Sequence, residues 1–374
     1  MLVRARIGLA IVLVLLVSQF ALAVEPIRVG VYEPMTGNMA AGGQMTVEGI
    51  NLAHELYPEV LGRPIQLFLV DNRSDQVESA NAVARLIEHD KVSAIIGTYG
   101  SSNAIAGSDV AERHGIPVLA TSATNPMVTQ GKDYSFRTCF IDPFQGEVMA
   151  NYTYNHLGLT KAALMVDVAA DYSVGLANFF VATFEELGGE IVSQMRYQTG
   201  DQEFTAQLTE IIARGAEVLF IPGYFGDAAL IARQLRDLGS DIQILGGDAL
   251  DAPELMTIGG DAVEGLSISS FFSVEAPQTE ETRIFAEAFQ AKYGQLPNAM
   301  AALGYDSYMI IRDAIERAGS NDPQAIRDAL AATKDFPAVT GNTTLNEHGD
   351  AVKDAVILQV QNGEFRYLTT VPAK

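Results

Sequence analysis

The chain has 374 residues, of which 48% are hydrophobic and 19% charged, so it can form a sizeable core, and its length suggests two domains. Acidic residues outnumber basic ones by 46 to 24, and the net charge of −22 argues against a nucleic-acid-binding protein, which needs a basic surface. The single cysteine, Cys139, excludes a disulfide framework and a thiolate metal cluster. We expect Cys139 to be a small, buried apolar side chain.

The N-terminal 23 residues have the three parts of an export signal. Arg4 and Arg6 are basic, residues 7–17 are almost wholly apolar, and Ala21-Leu22-Ala23 has the small-x-small pattern of a signal peptidase site. The alternative is an uncleaved membrane anchor, for which the apolar run is short. No cysteine lies near the cleavage site for lipid attachment. We therefore expect a signal peptide over 1–23 and a soluble exported chain.

Short β-branched segments alternate with helical segments through the first third of the chain. Ser74 is expected to cap a helix whose apolar residues, at helical spacing, are Val77, Ala80, Ala84 and Ile87. The predicted strands are 27–32, 65–70, 92–97 and 116–120, and the other predicted helices are 43–55 and 103–114.

The same alternation begins again after residue 160. Glycines directly follow three of its helical segments, as expected for helix C-termini. The predicted strands are 162–166, 190–197, 218–221 and 242–245, and the predicted helices are 173–187, 203–214 and 226–238. Two such blocks predict an α/β protein with two doubly wound lobes, each a parallel sheet between helices.

The last hundred residues add helices and a hairpin. We expect helices over 283–293, 306–317 and 323–331. Segments 355–361 and 364–369 flank Asn362-Gly363, a strong signal for a two-residue β-hairpin.

Polar residues follow the strands of both blocks. Ligands of open parallel sheets bind beyond the carboxyl ends of the strands. Hydroxyls at a helix N-terminus suit a carboxylate, and carboxylates with phenols suit an ammonium, so the two lobes together suit a zwitterionic amino acid. These residues are Thr98 to Asn103 and Thr121 to Pro126 in the first block, and Asp167, Asp171, Tyr172, Tyr224 and Asp248 in the second.

Each of these residues also has a purely structural interpretation. Residues 101–103 fit a helix cap, and for these residues taken alone a cap is more common than a ligand site. Residues 124–126 fit an ordinary turn. Tyr172 and Tyr224 fit half-buried surface positions, and Asp248 fits the cap of a short helix. A site is favoured because all of them follow successive strands at the same edge.

At these residues the chain resembles type I periplasmic binding proteins of the leucine/isoleucine/valine-binding family, which serve ABC importers. The resemblance covers essentially the whole mature chain, and its motifs are specific only as a set. They are EPMTG at 33–37, IGTYGSS at 96–102, GIPV at 115–118, SATNP at 122–126, DYSVG at 171–175, and YDS at 305–307, expected to open a late helix.

The resemblance implies a set of ligand-binding residues. The family's carboxylate-binding serine and threonine match Ser101 and Thr124. Its amine-binding backbone carbonyl matches Ser122, with Ala123 in the same turn and Tyr99 in the preceding loop. The two second-lobe tyrosines match Tyr172 and Tyr224, and the acidic partner of the amine matches Asp248.

The sequence departs from the family pattern at three places. Asp248 stands where the leucine binders have glutamate, one methylene longer. An aromatic residue of the first lobe is missing near Ala41-Gly42, which predicts space for a larger or more polar ligand side chain. The family often has an aromatic residue beside the ligand late in the chain, and its position falls near Met300 here. These departures preserve the amino-acid class and leave the side-chain preference open.

The family fold implies two lobes joined by a three-crossover hinge. The first lobe is expected over 24–142 and 272–348, and the second over 143–271 and 349–374. The implied function is a periplasmic, monomeric binding protein that delivers an amino acid, branched-chain or related, to the membrane subunits of an ABC permease. The alternatives are a small amide or aromatic carboxylate as the ligand, and a sensor that presents its ligand to a receptor.

An enzyme is the main competing class of function. The sequence has no G-x-x-x-x-G-K-[ST] phosphate loop, no G-x-G-x-x-G after the first strand, no H-E-x-x-H and no G-x-S-x-G motif. The five histidines fall mostly on or beside predicted helices, away from the strand ends. We therefore expect no catalytic activity, no cofactor, no metal and no nucleic-acid partner.

Overall fold

The computed structural model describes residues 25–373, so the predicted signal peptide lies outside the described residues. Within them, a first sheet has six strands in the order β2-β3-β1-β4-β5-β6. Its strands pair in parallel, except that the edge strand β2 pairs antiparallel with β3. They are β1 (Ile27–Glu33), β2 (Glu59–Val60), β3 (Arg63–Asp71), β4 (Ala94–Ile96), β5 (Val118–Ala120) and β6 (Ser135–Arg137).

Helices cover both faces of this sheet, because alternate strand residues point to opposite sides. Val29 and Ile96 join the core on the side of helix α1 (Ala40–Leu56). Ile95 joins a separate core with helices α2 (Gln76–Glu88) and α3 (Ser101–His114), which also pack on each other.

Helix α2 differs from its prediction. Its N-cap is Asp75, whose carboxylate accepts a hydrogen bond from the backbone three residues on at 2.9 Å. The Ser74 hydroxyl instead donates to the Thr36 carbonyl at 2.8 Å and so closes the loop after β1. Val77 is 67% exposed, so the predicted apolar face is wrong at this residue, whereas Ala80, Ala84 and Ile87 are half-buried against the core. The buried residues are Ser79, Ala82, Val83 and Leu86.

The second sheet of the described chain has seven strands in the order β16-β15-β11-β10-β9-β7-β8. Its five strands from β7 to β11 pair in parallel, and β15 and β16 add an antiparallel hairpin. The strands are β7 (Lys161–Asp167), β8 (Glu190–Tyr197), β9 (Val218–Ile221), β10 (Gln243–Gly246), β11 (Ser267–Ser270), β15 (Ala355–Gln361) and β16 (Glu364–Val371).

The predicted helices 173–187, 203–214 and 226–238 are confirmed, whereas the helices over 142–151 and 253–259 were not predicted. The hairpin at Asn362-Gly363 is confirmed, with both residues at positive φ as a tight two-residue turn requires. The helices are α4 (Asp142–Asn151), α5 (Asp171–Glu186), α6 (Thr205–Ala213), α7 (Phe225–Asp237) and α8 (Pro253–Gly259).

The remaining helices return to the first sheet. The helix α10 (Ala299–Ala318) packs against α1. Prediction placed residues 305–307 at a helix start, which is wrong: the helix begins after Asn298, whose side chain caps it, and Tyr305 lies inside it. A small sheet of β12 (Phe336–Ala338), β13 (Gly341–Leu345) and β14 (Ala351–Val352) lies beside α9 (Glu280–Tyr293) and α10, and α11 (Pro323–Ala331) completes the set.

The described chain therefore passes between the two sheets three times, after β6, after β11 and after β14. The predicted fold of two doubly wound lobes is confirmed. Here the first lobe means the six-stranded sheet with α1–α3 and α9–α11, and the second lobe means the seven-stranded sheet with α4–α8. Cys139, just after the first crossing begins, is fully buried as expected. Among residues 25–373, no helix has both the length and the apolar character needed to cross a membrane.

Candidate functional site

The carboxyl ends of both sheets face each other across a closed cleft. The Asn125 side chain donates to the Asp171 carbonyl at 2.8 Å, and the Asp171 N–H donates to the Ser102 hydroxyl at 3.0 Å. The Tyr99 hydroxyl donates to the Ala249 carbonyl at 3.3 Å. Each of these bonds joins the first lobe to the second, so the predicted loops from the two lobes do come together.

The first-lobe side of the site presents hydroxyl groups. Ser101 is the first residue of α3, and its hydroxyl accepts the Asn125 N–H at 3.2 Å, which leaves its own proton free to donate. The hydroxyls of Ser122 and Thr124 are buried and have no hydrogen-bond partner within residues 25–373. Buried hydroxyls seldom stay unpaired, and here they lie beside a helix N-terminus that favours an anion. The Ala123 carbonyl is turned away, toward Arg137 at 2.7 Å.

The second-lobe side presents a carboxylate. Asp248 is 1% exposed, and its Oδ1 accepts hydrogen bonds from the Tyr172 hydroxyl at 2.9 Å and the Gln145 amide at 2.7 Å. A side chain at Gly247 would lie 2.2 Å from the Tyr172 hydroxyl, so this position must be glycine for Tyr172 to reach Asp248. Burial raises the pKa of Asp248 to about 6, although both hydrogen bonds oppose the rise.

A second buried carboxylate, Asp142, was not predicted. It is fully buried at the start of α4, and it faces the Thr124 hydroxyl, although neither group completes a hydrogen bond of good geometry. Burial raises its pKa to about 8, and the nearby Asp248 charge adds to the rise. Asp142 precedes Pro143, so in sequence it looks like an ordinary helix start. Gln145 was also missed, one turn further along the same helix.

Three tyrosine rings form a continuous wall. The Tyr224 ring centroid lies 5.8 Å from that of Tyr99 and 5.7 Å from that of Tyr172. A side chain at Gly42 would lie 2.8 Å from the Tyr99 ring. The expected space beside Ala41-Gly42 is therefore filled by Tyr99, which corrects the prediction of a roomier pocket there. Loss of one aromatic residue from α1 is compensated by another in the loop after β4.

Met300 lies in the first turn of α10 and is 1% exposed. It belongs to the same large apolar core as Tyr99, Tyr172 and Tyr224. A cavity of about 510 Å³ opens beside this wall, and both lobes line it. It shares Gly100 and Tyr224 with the candidate site, and its polar lining includes Ser102, Asn103 and Thr199.

The arrangement therefore separates two kinds of group within one enclosed space. Hydroxyl donors and a helix N-terminus lie on one side, and the Asp248 carboxylate lies on the other, with Asp142 between them beside Thr124. Within residues 25–373, no lysine, arginine or histidine forms an ion pair with Asp142 or Asp248. Such a site can hold a molecule that carries an anionic group and a cationic group a few bonds apart.

Known proteins share both this sequence pattern and this fold. A family model described as "Periplasmic binding protein" matches residues 26–364. The Leu/Ile/Val-binding protein BraC3 of Rhizobium johnstonii is 31% identical over 343 residues, which are 90% of this chain and 92% of that protein.

Two solved structures are also similar. A leucine binding protein, LivK, from Thermotoga maritima is 43% identical, with a TM-score of 0.91 over 92% of this chain and 99% of that one. The substrate binding protein LivJ of a branched-chain amino acid transporter from Streptococcus pneumoniae, solved in complex with isoleucine, is 31% identical, with a TM-score of 0.87 over 93% and 99%. Since the family model spans nearly the whole described chain and the two-lobed architecture is shared, the chain belongs to the periplasmic binding protein family.

Proposed function

We propose that the protein binds a branched-chain amino acid between its two lobes and delivers it to an ABC importer. The observation that carries the proposal is the buried Asp248 carboxylate opposite the hydroxyls of Ser122 and Thr124, with a second buried carboxylate, Asp142, between them. An α-ammonium beside the carboxylates and an α-carboxylate beside the hydroxyls satisfy both sides at once.

The side-chain class follows from the wall around the site. Tyr99, Tyr172 and Tyr224 offer ring faces. The Met39 sulfur lies close to Gly100, since a Cβ atom added at Gly100 would be 2.9 Å from it. These surfaces are apolar and polarizable, which suits an aliphatic side chain. The names of the similar proteins, which bind leucine, isoleucine and valine, support the same class.

An aromatic carboxylate is the less favourable ligand. It supplies the anion for Ser101 and Thr124 but brings no cation, so Asp142 and Asp248 remain buried without a counter-charge. Burying an unpaired charge is costly, and the two carboxyl groups respond by taking up protons. An amino acid removes that cost.

The proposal includes a place in the cell and a partner. The signal-like segment at 1–23 and the family support export to the periplasm, with cleavage after Ala23. The partners are then the membrane subunits of an ABC permease, and the protein acts as a monomer. Lobe boundaries near 142/143, 271/272 and 348/349 are consistent with the three crossings between the sheets.

A thermal-shift screen against the twenty amino acids and a set of simple carboxylates tests the proposed function. A ligand present at 100 times its Kd adds about 2.7 kcal/mol to the free energy of unfolding, which gives a clear rise in Tm. We expect leucine, isoleucine and valine to give the largest rises. Stabilisation by benzoate alone, with no response to any amino acid, would contradict the proposal.

Replacing Thr124 with alanine is expected to weaken leucine binding by roughly 1–3 kcal/mol, because a charged acceptor loses a hydroxyl donor in a dry site. Isothermal titration calorimetry measures the change. The matched control is Thr153→Ala, since Thr153 is equally buried but donates to the Met149 carbonyl at 2.7 Å, away from the cleft. Equal Kd values for wild type and Thr124→Ala would exclude Thr124 from the carboxylate subsite.

A further inference from the structure

The most buried basic side chain of the first lobe lies directly behind the candidate site. Arg137 ends β6, is 0% exposed and is the largest fully buried side chain of the described chain. Burying a guanidinium is costly unless nearly all of its donors are used. The contacts of the Arg137 guanidinium therefore indicate the role of its buried charge.

The guanidinium binds the backbone of the ligand turn, which we define as residues 122–126. Nη1 donates to the Ala123 carbonyl at 2.7 Å, and Nη2 donates to the Asn125 carbonyl at 3.0 Å. These carbonyls alternate with Ser122 and Thr124, whose hydroxyls face the site. Arg137 holds these carbonyls on the side of the ligand turn that is away from the candidate site. It thereby fixes the direction in which the peptides of Ser122 and Thr124 point.

The same guanidinium also reaches the third crossing between the lobes. Nε lies 2.7 Å from Oδ1 of Asp350, and the Thr129 hydroxyl bridges the two, accepting from Nη2 at 2.8 Å and donating to Asp350 at 2.7 Å. The Arg137 N–H donates to the Gly349 carbonyl at 2.9 Å. Asp350 directly precedes β14, after which the chain enters the second lobe.

The geometry points to Arg137 and Asp350 as a positioning pair that couples the ligand turn to the hinge, a role that rests on the proposed binding of an amino acid to that turn. The planar fork of arginine bonds several acceptors in fixed directions, whereas a lysine ammonium is a single point charge and cannot hold the same set. A shift of the third crossing therefore moves Asp350, Arg137 and the turn together. A ligand that holds the ligand turn in place therefore also stabilises one position of the third crossing.

The test is a double-mutant cycle in leucine affinity. Arg137→Lys keeps the charge and loses the fork, and we expect it to raise the Kd about tenfold. If Arg137 acts through the turn, the combined Arg137→Lys and Thr124→Ala variant loses less affinity than the product of the two single losses. If Arg137 only stabilises the fold, the two single substitutions raise the Kd independently and their fold-changes multiply. Asp350→Asn is expected to raise the Kd severalfold and serves if Arg137→Lys fails to fold.

The control is Arg236→Lys in the second lobe. Arg236 also donates to two backbone carbonyls, those of Ser240 at 2.7 Å and Ile242 at 3.0 Å, but it lies far along the chain from the turn. We expect its Kd to stay within about twofold of wild type. A folded Arg137→Lys or Asp350→Asn variant with wild-type Kd, or losses that simply multiply, would overturn the positioning role.

Failure of the proposed function is a separate result. If the wild-type protein binds no amino acid, hydrogen exchange of the ligand-free protein still tests the coupling. We expect Arg137→Lys to speed exchange in both 122–129 and 346–352, whereas faster exchange in only one of the two segments would show that they are not coupled.

Discussion

Replacing Asp248 with asparagine is expected to weaken leucine binding by roughly 2–5 kcal/mol, because a buried charge pair then loses one member. Asp248 is 1% exposed, and its Oδ1 is already held by Tyr172 and Gln145. Those two donors stay in place in the variant, but they then face an amide that carries no charge for the ammonium. Titration calorimetry on wild type and variant measures the loss.

The deaminated analogue 4-methylpentanoate makes this prediction specific. It has no ammonium, so Asp248→Asn is expected to leave its affinity unchanged or to increase it. The control variant is Asp227→Asn in α7, since Asp227 is also a largely buried carboxylate whose pKa burial raises to about 6, but it faces the Gly200 backbone. Equal losses for leucine and for the analogue would mean that Asp248 maintains the structure and does not recognise an amine.

The affinity for leucine is expected to rise with pH between 6 and 8, and Asp142 is the reason. Burial, with a contribution from Asp248, raises the pKa of Asp142 to about 8, although the Thr124 hydroxyl and the Arg137 charge oppose the rise. At pH 7 the carboxyl group is therefore mostly protonated. A bound ammonium favours the carboxylate and lowers the pKa, so binding releases a proton, and affinity increases up to about tenfold per pH unit until the ligand-free pKa is reached. Below pH 6, protonation of Asp248 makes the fall steeper.

Calorimetry in two buffers of different ionisation enthalpy measures the released protons. Asp142→Asn is expected to remove most of the proton release at pH 7 and to flatten the pH profile between 6 and 8. The loss of affinity in this variant should reach roughly 2–5 kcal/mol at pH 8 and be smaller at pH 6, where the wild-type group is already neutral. A wild-type affinity that is constant from pH 6 to 8 would show that Asp142 does not respond to the ligand.

The fold was predictable because its signals are local and repeated. Short apolar strands alternate with helices, several of which end at glycine, and each predicted strand lies within a few residues of an observed one. The strands β2, β6 and β11 were not predicted, and other errors lie at helix starts. Ser74 has the right chemistry for a cap, but its hydroxyl bonds to Thr36, 38 residues earlier, so Asp75 caps the helix instead. A contact between distant segments decides the cap, and no local pattern shows it.

The site was predictable where it follows strand ends and not where it depends on packing through space. Ser101 bonds to the loop that contains Thr124, and Tyr172 contacts both Asp248 and Tyr224, while the part of these residues in ligand binding stays a prediction. Asp142 and Gln145 enter the same cleft from a crossing helix, which no strand-end rule identifies.

The ligand-side space also depends on packing between distant residues. Tyr99 fills the space beside Gly42 because glycine lets the ring approach within 3 Å of where a Cβ would be. The resemblance to the family implies that an aromatic residue is missing from α1, but only the structure shows that Tyr99 takes its place.

We propose that the cleft recognises both charged groups of an amino acid. Calorimetric titration of the protein at pH 8 with leucine, 4-methylpentanoate and 3-methylbutylamine tests this claim, since the two analogues lack only the ammonium or only the carboxylate. We predict that leucine binds and that each analogue loses at least about 2 kcal/mol of binding free energy, because each leaves one side of the site unpaired. Binding of either analogue as tightly as leucine would contradict the claim.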